Sequence, residues 1–245
     1  MTVKELFKLG AHFGFNRARQ HPSTTEFVFG YKNRHAVVDL DKTLVALEKA
    51  KDFIKSIGST GGTLLLVGSK NEARGAVETA ALKLDAPYVT LRWVGGTLTN
   101  FKNIRRRIDR LAEINEGNRS GEFEKKYTKK ERLVINKERE NLERLFGSLS
   151  PLTKLPAAVV IIDTGEEAIA LTEAAKSKVP VVALSGIDCD LRTVTYPVVA
   201  NDTSTNTIKW FLEEIVTAYN AGKAAAKVET PVVEAVDNQV PPVAA

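Results

Sequence analysis

The chain has 245 residues, 43% of them hydrophobic, which is enough for a substantial core and argues against wholesale disorder. Its 35 Lys and Arg exceed its 30 Asp and Glu by five, and a pI of about 9.2 favours a polyanionic partner over an acidic small molecule. Cys189 is the single cysteine, so no intramolecular disulfide is possible, and no apolar run approaches the roughly 20 residues that span a bilayer; a soluble protein of a reducing compartment is expected.

The N-terminus, broken by Lys4, Glu5 and Lys8, does not resemble a secretory signal. Residues 1–35 carry six basic and two acidic side chains, and Phe13, Phe15, Arg17, Arg19 and His21 alternate at period two. Cations interleaved with aromatics suit phosphate contact plus stacking on unpaired bases, although the phenylalanines also suit a sheet edge. His12, Arg17 and Arg19 are the RNA-contact candidates here. A metal site from His12 and His21 lacks a third ligand. Ala36 to Leu40 then reads as a strand, with Asp41 as N-cap of a helix whose apolar face is Leu44, Leu47, Phe53, Ile54 and Ile57 and whose stop is Gly58.

Thr63 to Val67 reads as a buried strand, followed by Gly68-Ser69-Lys70 and a helix from Glu72 to Leu84. A phosphate loop would need Lys before Ser or Thr and a glycine five positions before Gly68, whereas Gly62 stands six before it. Nucleotide binding is not indicated; Lys70 and the turn amides remain candidates for an RNA phosphate. After a strand at Tyr88 to Leu91, Arg92-Trp93-Val94-Gly95-Gly96-Thr97-Leu98-Thr99-Asn100 leads into a different kind of segment. Residues 99–147 hold 14 Lys and Arg against 9 Asp and Glu, which leaves 21 of each sign elsewhere, so this segment alone accounts for the net charge. Phe101, Ile104, Ile108, Leu111 and Ile114 form one narrow seam, and Leu133, Val134, Ile135, Leu142, Leu145 and Phe146 a second, with a turn at Gly117 to Gly121. This predicts an antiparallel helical hairpin. Arg92, Trp93 and Asn100 at its base, Lys102, Arg105, Arg106 and Arg110 along it, and Lys125, Lys126, Lys129 and Lys130 at its tip are the remaining RNA-binding candidates. The alternative is a solvated, salt-bridged pair of helices.

Strands at Ala157 to Ile162, Val181 to Leu184 and Val198 to Ala200, with helices at Glu166 to Ser177 and Thr203 to Asn220, complete the alternation. Fully apolar strands between helices indicate a parallel sheet covered on both faces, a three-layer doubly wound α/β domain. The expected organisation is an α/β domain from 1–98 and 148–222, an insertion at 99–147, and a disordered tail at 223–245. Asp163-Thr164-Gly165 lacks the second triplet an aspartic protease needs. Asp163, Asp188, Asp190 and Asp202 leave open a magnesium phosphohydrolase, weakly, because Arg192 stands where such enzymes carry Thr.

The ordered motifs carry a resemblance. Leu9-Gly-Ala-His-Phe-Gly14, Asn33 with Asp41-Lys42-Thr43, Arg92 to Asn100, Gly121-x-Phe123 with Lys129-Lys130-Glu131 and Gly147, the spacing Pro156, Asp163, Glu167, Leu171, Glu173 and Val179-Pro180, and Asn201-Asp202 resemble the bacterial small-subunit ribosomal protein S-two family over roughly Val3 to Gly222. That resemblance implies a flavodoxin-like α/β/α fold with a coiled-coil insertion and no enzymatic activity or cofactor. It also implies binding to 16S-type rRNA near the junction of head and body, among other small-subunit proteins including the mRNA-binding protein S-one, in the cytoplasm. Phe15, Leu91, Ala157 and the stretch Ile187 to Leu191 depart from the family's usual residues.

Overall fold

The structure is a computed structural model that describes residues 2–229. A short helix α1 (Val3–Lys8) leads into β1 (Phe13–Asn16), two 3-10 turns at Arg17–Arg19 and Pro22–Phe27, and the strands β2 (Val28–Lys32) and β3 (His35–Val38). These strands form a small antiparallel sheet of their own, ordered β1-β3-β2. The strand expected from Ala36 therefore lies outside the parallel sheet. Period two also ends at Asn16: Arg17 and Arg19 sit on a 3-10 turn whose Ala18 amide is capped by the Asn16 side chain. The β2–β3 connection turns through Asn33 and Arg34 at φ +50 and +68, the left-handed pair that two-residue hairpins require.

Helix α2 (Leu40–Ser59) is capped by Asp39, whose carboxylate accepts from the Asp41 and Lys42 amides; the cap lies two residues before Asp41. Gly58 does not end the helix. A Cβ there would meet the carbonyl oxygen of Tyr219 in the last helix, α8 (Thr205–Glu229), and a Cβ on Gly222 would meet the carbonyl of Lys55 in return. The glycine pair is thus the close crossing of α2 and α8. Helix α8 continues to Glu229, so residues 223–229 of the expected tail are helical, and 230–245 lie outside the described residues.

The main sheet contains β4 (Leu64–Val67), β5 (Tyr88–Val89), β6 (Ala158–Ile162), β7 (Val181–Ser185) and β8 (Tyr196–Val199), all parallel, in the order β5-β4-β6-β7-β8. Counted within the sheet this is 2-1-3-4-5, the flavodoxin-like order. Every residue of β4, β6 and β7 is buried. Alternate residues serve opposite layers. Leu64, Leu66, Val160 and Ile162 pack with α2, α3 (Asn71–Leu84) and α8, whereas Leu65, Val67, Val159 and Ile161 pack with α7 (Ala168–Lys176) and the inserted helices.

The insertion consists of α4 (Phe101–Arg119), a short α5 (Glu122–Lys126) and α6 (Lys129–Phe146), with α4 leaving the body and α6 returning to it. Ile104, Ile108, Leu111 and Ile114 are buried along α4, matched by Leu142 and Phe146 near the body and by Ile135 and Phe123 farther out. Leu133 and Val134, expected on the inner seam, face solvent, because a 3.6-residue period that brings Ile135, Leu142 and Phe146 inward turns them away. Among the described residues, no helix is long and apolar enough to cross a membrane.

Candidate nucleic-acid interface

In this strand order the sheet changes direction between β4 and β6, and ligands of doubly wound proteins bind in the crevice at that point. Here the crevice is filled from within. Lys70, leaving β4, places its Nζ 2.8 Å from Asp163 Oδ2 and 3.2 Å from Asp202 Oδ2, and the Ser69 amide donates to buried Glu167 at 2.8 Å. Asp163 adopts φ +64, which lets its other oxygen accept from the Gly165 and Glu166 amides. Burial opposes the charge on Lys70, but the hydrogen bond and charge of Asp163 with the charge of Asp202 raise its pKa; for Asp163 the same burial is outweighed by Lys70 and the two amides, and its pKa is lowered. Burial, then the negative charge of Asp163, pushes Asp202 up to about 7. The Lys70 ammonium, which the sequence offers to an RNA phosphate, is paired here with two carboxylates.

The carboxylates of the enzyme alternative are only partly gathered here. Asp163 and Asp202 share Lys70, and Asp188 lies beside Cys189, whose thiol burial pushes up to about 12. Asp190 turns outward to Arg192 at 2.8 Å, with His21 at 3.9 Å. Among the described residues no group of three or more His, Cys, Asp or Glu is arranged to hold a metal ion. His12 is 8% exposed and stacked on Phe7 at 3.9 Å and against Phe13 at 4.0 Å, and burial lowers its pKa; its ring packs within the protein.

One carboxylate organises the base of the insertion. Glu173, buried on α7, accepts from the Gly96 amide at 2.6 Å, the Leu98 amide at 3.0 Å, the Thr99 amide at 3.3 Å and Trp93 Nε1 at 3.2 Å. Burial works against its charge, but these donors outweigh it and lower its pKa. Gly96 takes φ +93 to present its amide. Trp93 is 5% exposed and part of this bracket, so it offers no ring to an RNA base. On the returning side, Ser148 Oγ donates to the Tyr88 carbonyl at 2.6 Å and Arg105 Nη1 to the Leu152 carbonyl at 3.1 Å. Arg105 also pairs with Asp109, one turn along α4, at 2.9 Å.

The cations that remain lie on the arm's outer surface. Arg92, Lys102, Arg106 and Arg107 are exposed and make no ion pair among the described residues, and Asn100 is exposed at the N-cap of α4. Arg110 shares their side of the helix but is held by Glu113 at 3.4 Å and Glu138 at 3.5 Å, which raise its pKa, Glu138 foremost. Arg107, which follows Arg105 and Arg106 in the sequence, is exposed like Arg106. At the tip Lys125, Lys126, Lys129 and Lys130 are exposed and unpaired among the described residues. Lys129 and Lys130 occupy the first turn of α6, where the helix dipole disfavours a cation by about 0.3–1 kcal/mol each. The Thr128–Glu131 capping box, with Glu131 accepting the Thr128 amide at 2.9 Å, secures that end despite them. Arg17 and Arg19 are exposed on the other surface, over the rings of Tyr31 and Phe15 at 4.9 and 6.0 Å.

Residues 6–222 match the family described as Ribosomal protein S2. Curated relatives bear the name "Small ribosomal subunit protein uS2". That of Acidothermus cellulolyticus is 39% identical over 230 residues, 93% of this chain and 84% of its own length. That of Corynebacterium jeikeium is 38% identical over 92% of this chain and 81% of its own, and that of Mesoplasma florum 39% over 91% and 83%. The flavodoxin-like strand order, the self-neutralised switch point and these similarities converge, and the chain belongs to the Ribosomal protein S2 family of structural, non-enzymatic ribosomal proteins.

Proposed function

We propose that this protein is a structural constituent of the small ribosomal subunit that grips 16S-type rRNA with two basic surfaces, the α4–α6 arm and the N-terminal sheet. The observation that carries this reading is the contrast on the arm. Its seam is buried and its base bracketed by Glu173, yet Lys102, Arg106, Arg107 and the tip lysines are exposed without ion pairs among the described residues. Exposed cations on a firmly based arm suit a phosphate backbone. A location at the junction of head and body, neighbouring protein S-one in the cytoplasmic ribosome, is the finer part of the proposal and is supported by the family resemblance.

The test is co-sedimentation with small subunits lacking this protein. It is expected to bind at moderate salt and leave at high salt, and charge reversal at Lys102 and Arg106 to Glu is expected to abolish retention without unfolding the chain. Retention independent of salt would overturn the reading. A second reading, an arm that docks a protein, is favoured by one observation: Leu133 and Val134 are adjacent and exposed on α6. Binding through that face would survive the double reversal.

A further inference from the structure

We infer that the small N-terminal sheet stacks an unpaired nucleotide on Phe29, with Arg17, Lys32 and Arg34 on the flanking phosphates. This rests on the RNA-binding reading above and names the kind of RNA that this surface takes. Strand β2 is one of the two edge strands of the sheet, and its register against β3 slips between Val28↔Val38 and Gly30↔Val37, so Phe29 sits in a bulge. Bulges re-aim side chains, and this ring is 80% exposed while its neighbours Phe27 and Val28, with Phe15, pack on Ala36, Val38 and Ile187. A ring left out of an adjacent core forgoes burial that the fold could have used.

The small sheet that carries Phe29 is cationic, and Tyr31, two residues along the same strand, is already ordered. Tyr31, 45% exposed, carries the Arg17 guanidinium 4.9 Å from its ring centre and donates from its hydroxyl to Gln20 at 2.5 Å. The Arg17 amide donates to the Arg34 carbonyl at 2.9 Å, which ties the 3-10 turn to the hairpin tip. Residues 13–38 contain Arg17, Arg19, Lys32 and Arg34 against the single acid Glu26, and none of the four cations forms an ion pair among the described residues. An exposed ring amid free cations matches a nucleotide with an open base face and charged phosphates on either side. A duplex hides its base faces, so it meets the cations and not the ring.

The test compares a short single-stranded RNA with the blunt duplex of the same length, using the full chain. Phe29→Ala is expected to weaken the single strand roughly five- to 150-fold, the range for one stacked base, and the duplex by less than about twofold. Phe29→Trp is expected to restore affinity, and its fluorescence to be quenched by the single strand and not by the duplex. Lys32→Gln with Arg34→Gln is expected to flatten the salt dependence for both RNAs. If Phe29→Ala leaves single-strand affinity unchanged, or weakens both RNAs alike, the stacking inference falls while RNA binding stands. If the unaltered protein binds neither RNA in a salt-dependent way, the underlying reading fails instead. Unchanged RNA affinity with lost binding to a small-subunit protein would reassign Phe29 to a protein contact.

Discussion

The C-terminal edge of the parallel sheet and the α4–α6 arm both collect charge, and they treat it in opposite ways. At the sheet edge partly buried Lys70 lies between partly buried Asp163 and buried Asp202. On the arm Lys102, Arg106 and the tip lysines stand in water without ion pairs among the described residues. The first arrangement holds β4, β6 and the start of α8 together; the second leaves charge available to a partner. A basic residue at the end of a strand therefore says little about binding until its counter-charges are known.

The largest expected effect tests the buried side of this contrast. Lys70→Met leaves two carboxylates facing each other without a cation and is expected to destabilise the protein by about 3 kcal/mol, read as the shift in urea midpoint. RNA affinity of the folded fraction should be unchanged. Normal stability with weakened RNA binding would move Lys70 into the interface.

Next comes Glu173→Gln, which replaces with a donor one of two accepting oxygens, one facing Trp93 Nε1 and the Gly96 amide and the other the Leu98 and Thr99 amides. A loss of about 2 kcal/mol is expected, with faster hydrogen exchange at the Gly96, Leu98 and Thr99 amides. Because the pKa of Glu173 is lowered on folding, its contribution is complete above the ordinary carboxylate pKa and is lost as pH falls through the lowered value.

Asp202 has the opposite sign and a smaller expected effect. With its folded pKa raised to about 7, the native state holds a proton that the unfolded chain has released between roughly pH 4 and 7. Stability from this group is therefore greatest below that window and declines as pH rises through it. Asp202→Asn is expected to flatten that slope; an unchanged slope in thermal midpoints would contradict the assignment.

The same contrast explains what could be read from the sequence. Strands β4, β6 and β7 are buried on both faces, so their continuous apolar runs announce them, and the parallel layers follow. The small sheet was hidden because β2 contains Gly30 and exposed Phe29 and Tyr31, which blur any alternation. Gly58 looked like a stop because a close helix crossing leaves the same residue as a helix end. The burial of Trp93 and His12 is not legible, because an aromatic beside a cation has one appearance in a sequence whether it is open to a base or packed inside. Glu173 reaches Gly96 across 77 positions, and Lys70 reaches Asp163 across 93, and no local pattern records such pairings. The exposed cations of the arm were legible because narrow seams assign their faces. The exceptions are Arg105, bonded to the Leu152 carbonyl, and Arg110, whose partner Glu138 lies on the other helix.

The central claim is that the arm's free cations, and not its paired ones, meet phosphate. The most direct measurement is the salt dependence of rRNA affinity for the unaltered protein, for Lys102→Gln with Arg106→Gln, and for Arg110→Gln. Losing the two free cations is expected to lower the log–log slope by about 0.7–0.9 for each phosphate no longer neutralised, whereas losing Arg110 leaves it nearly unchanged. Equal slopes for the unaltered protein and the double variant, or a larger drop for Arg110→Gln, would contradict the account.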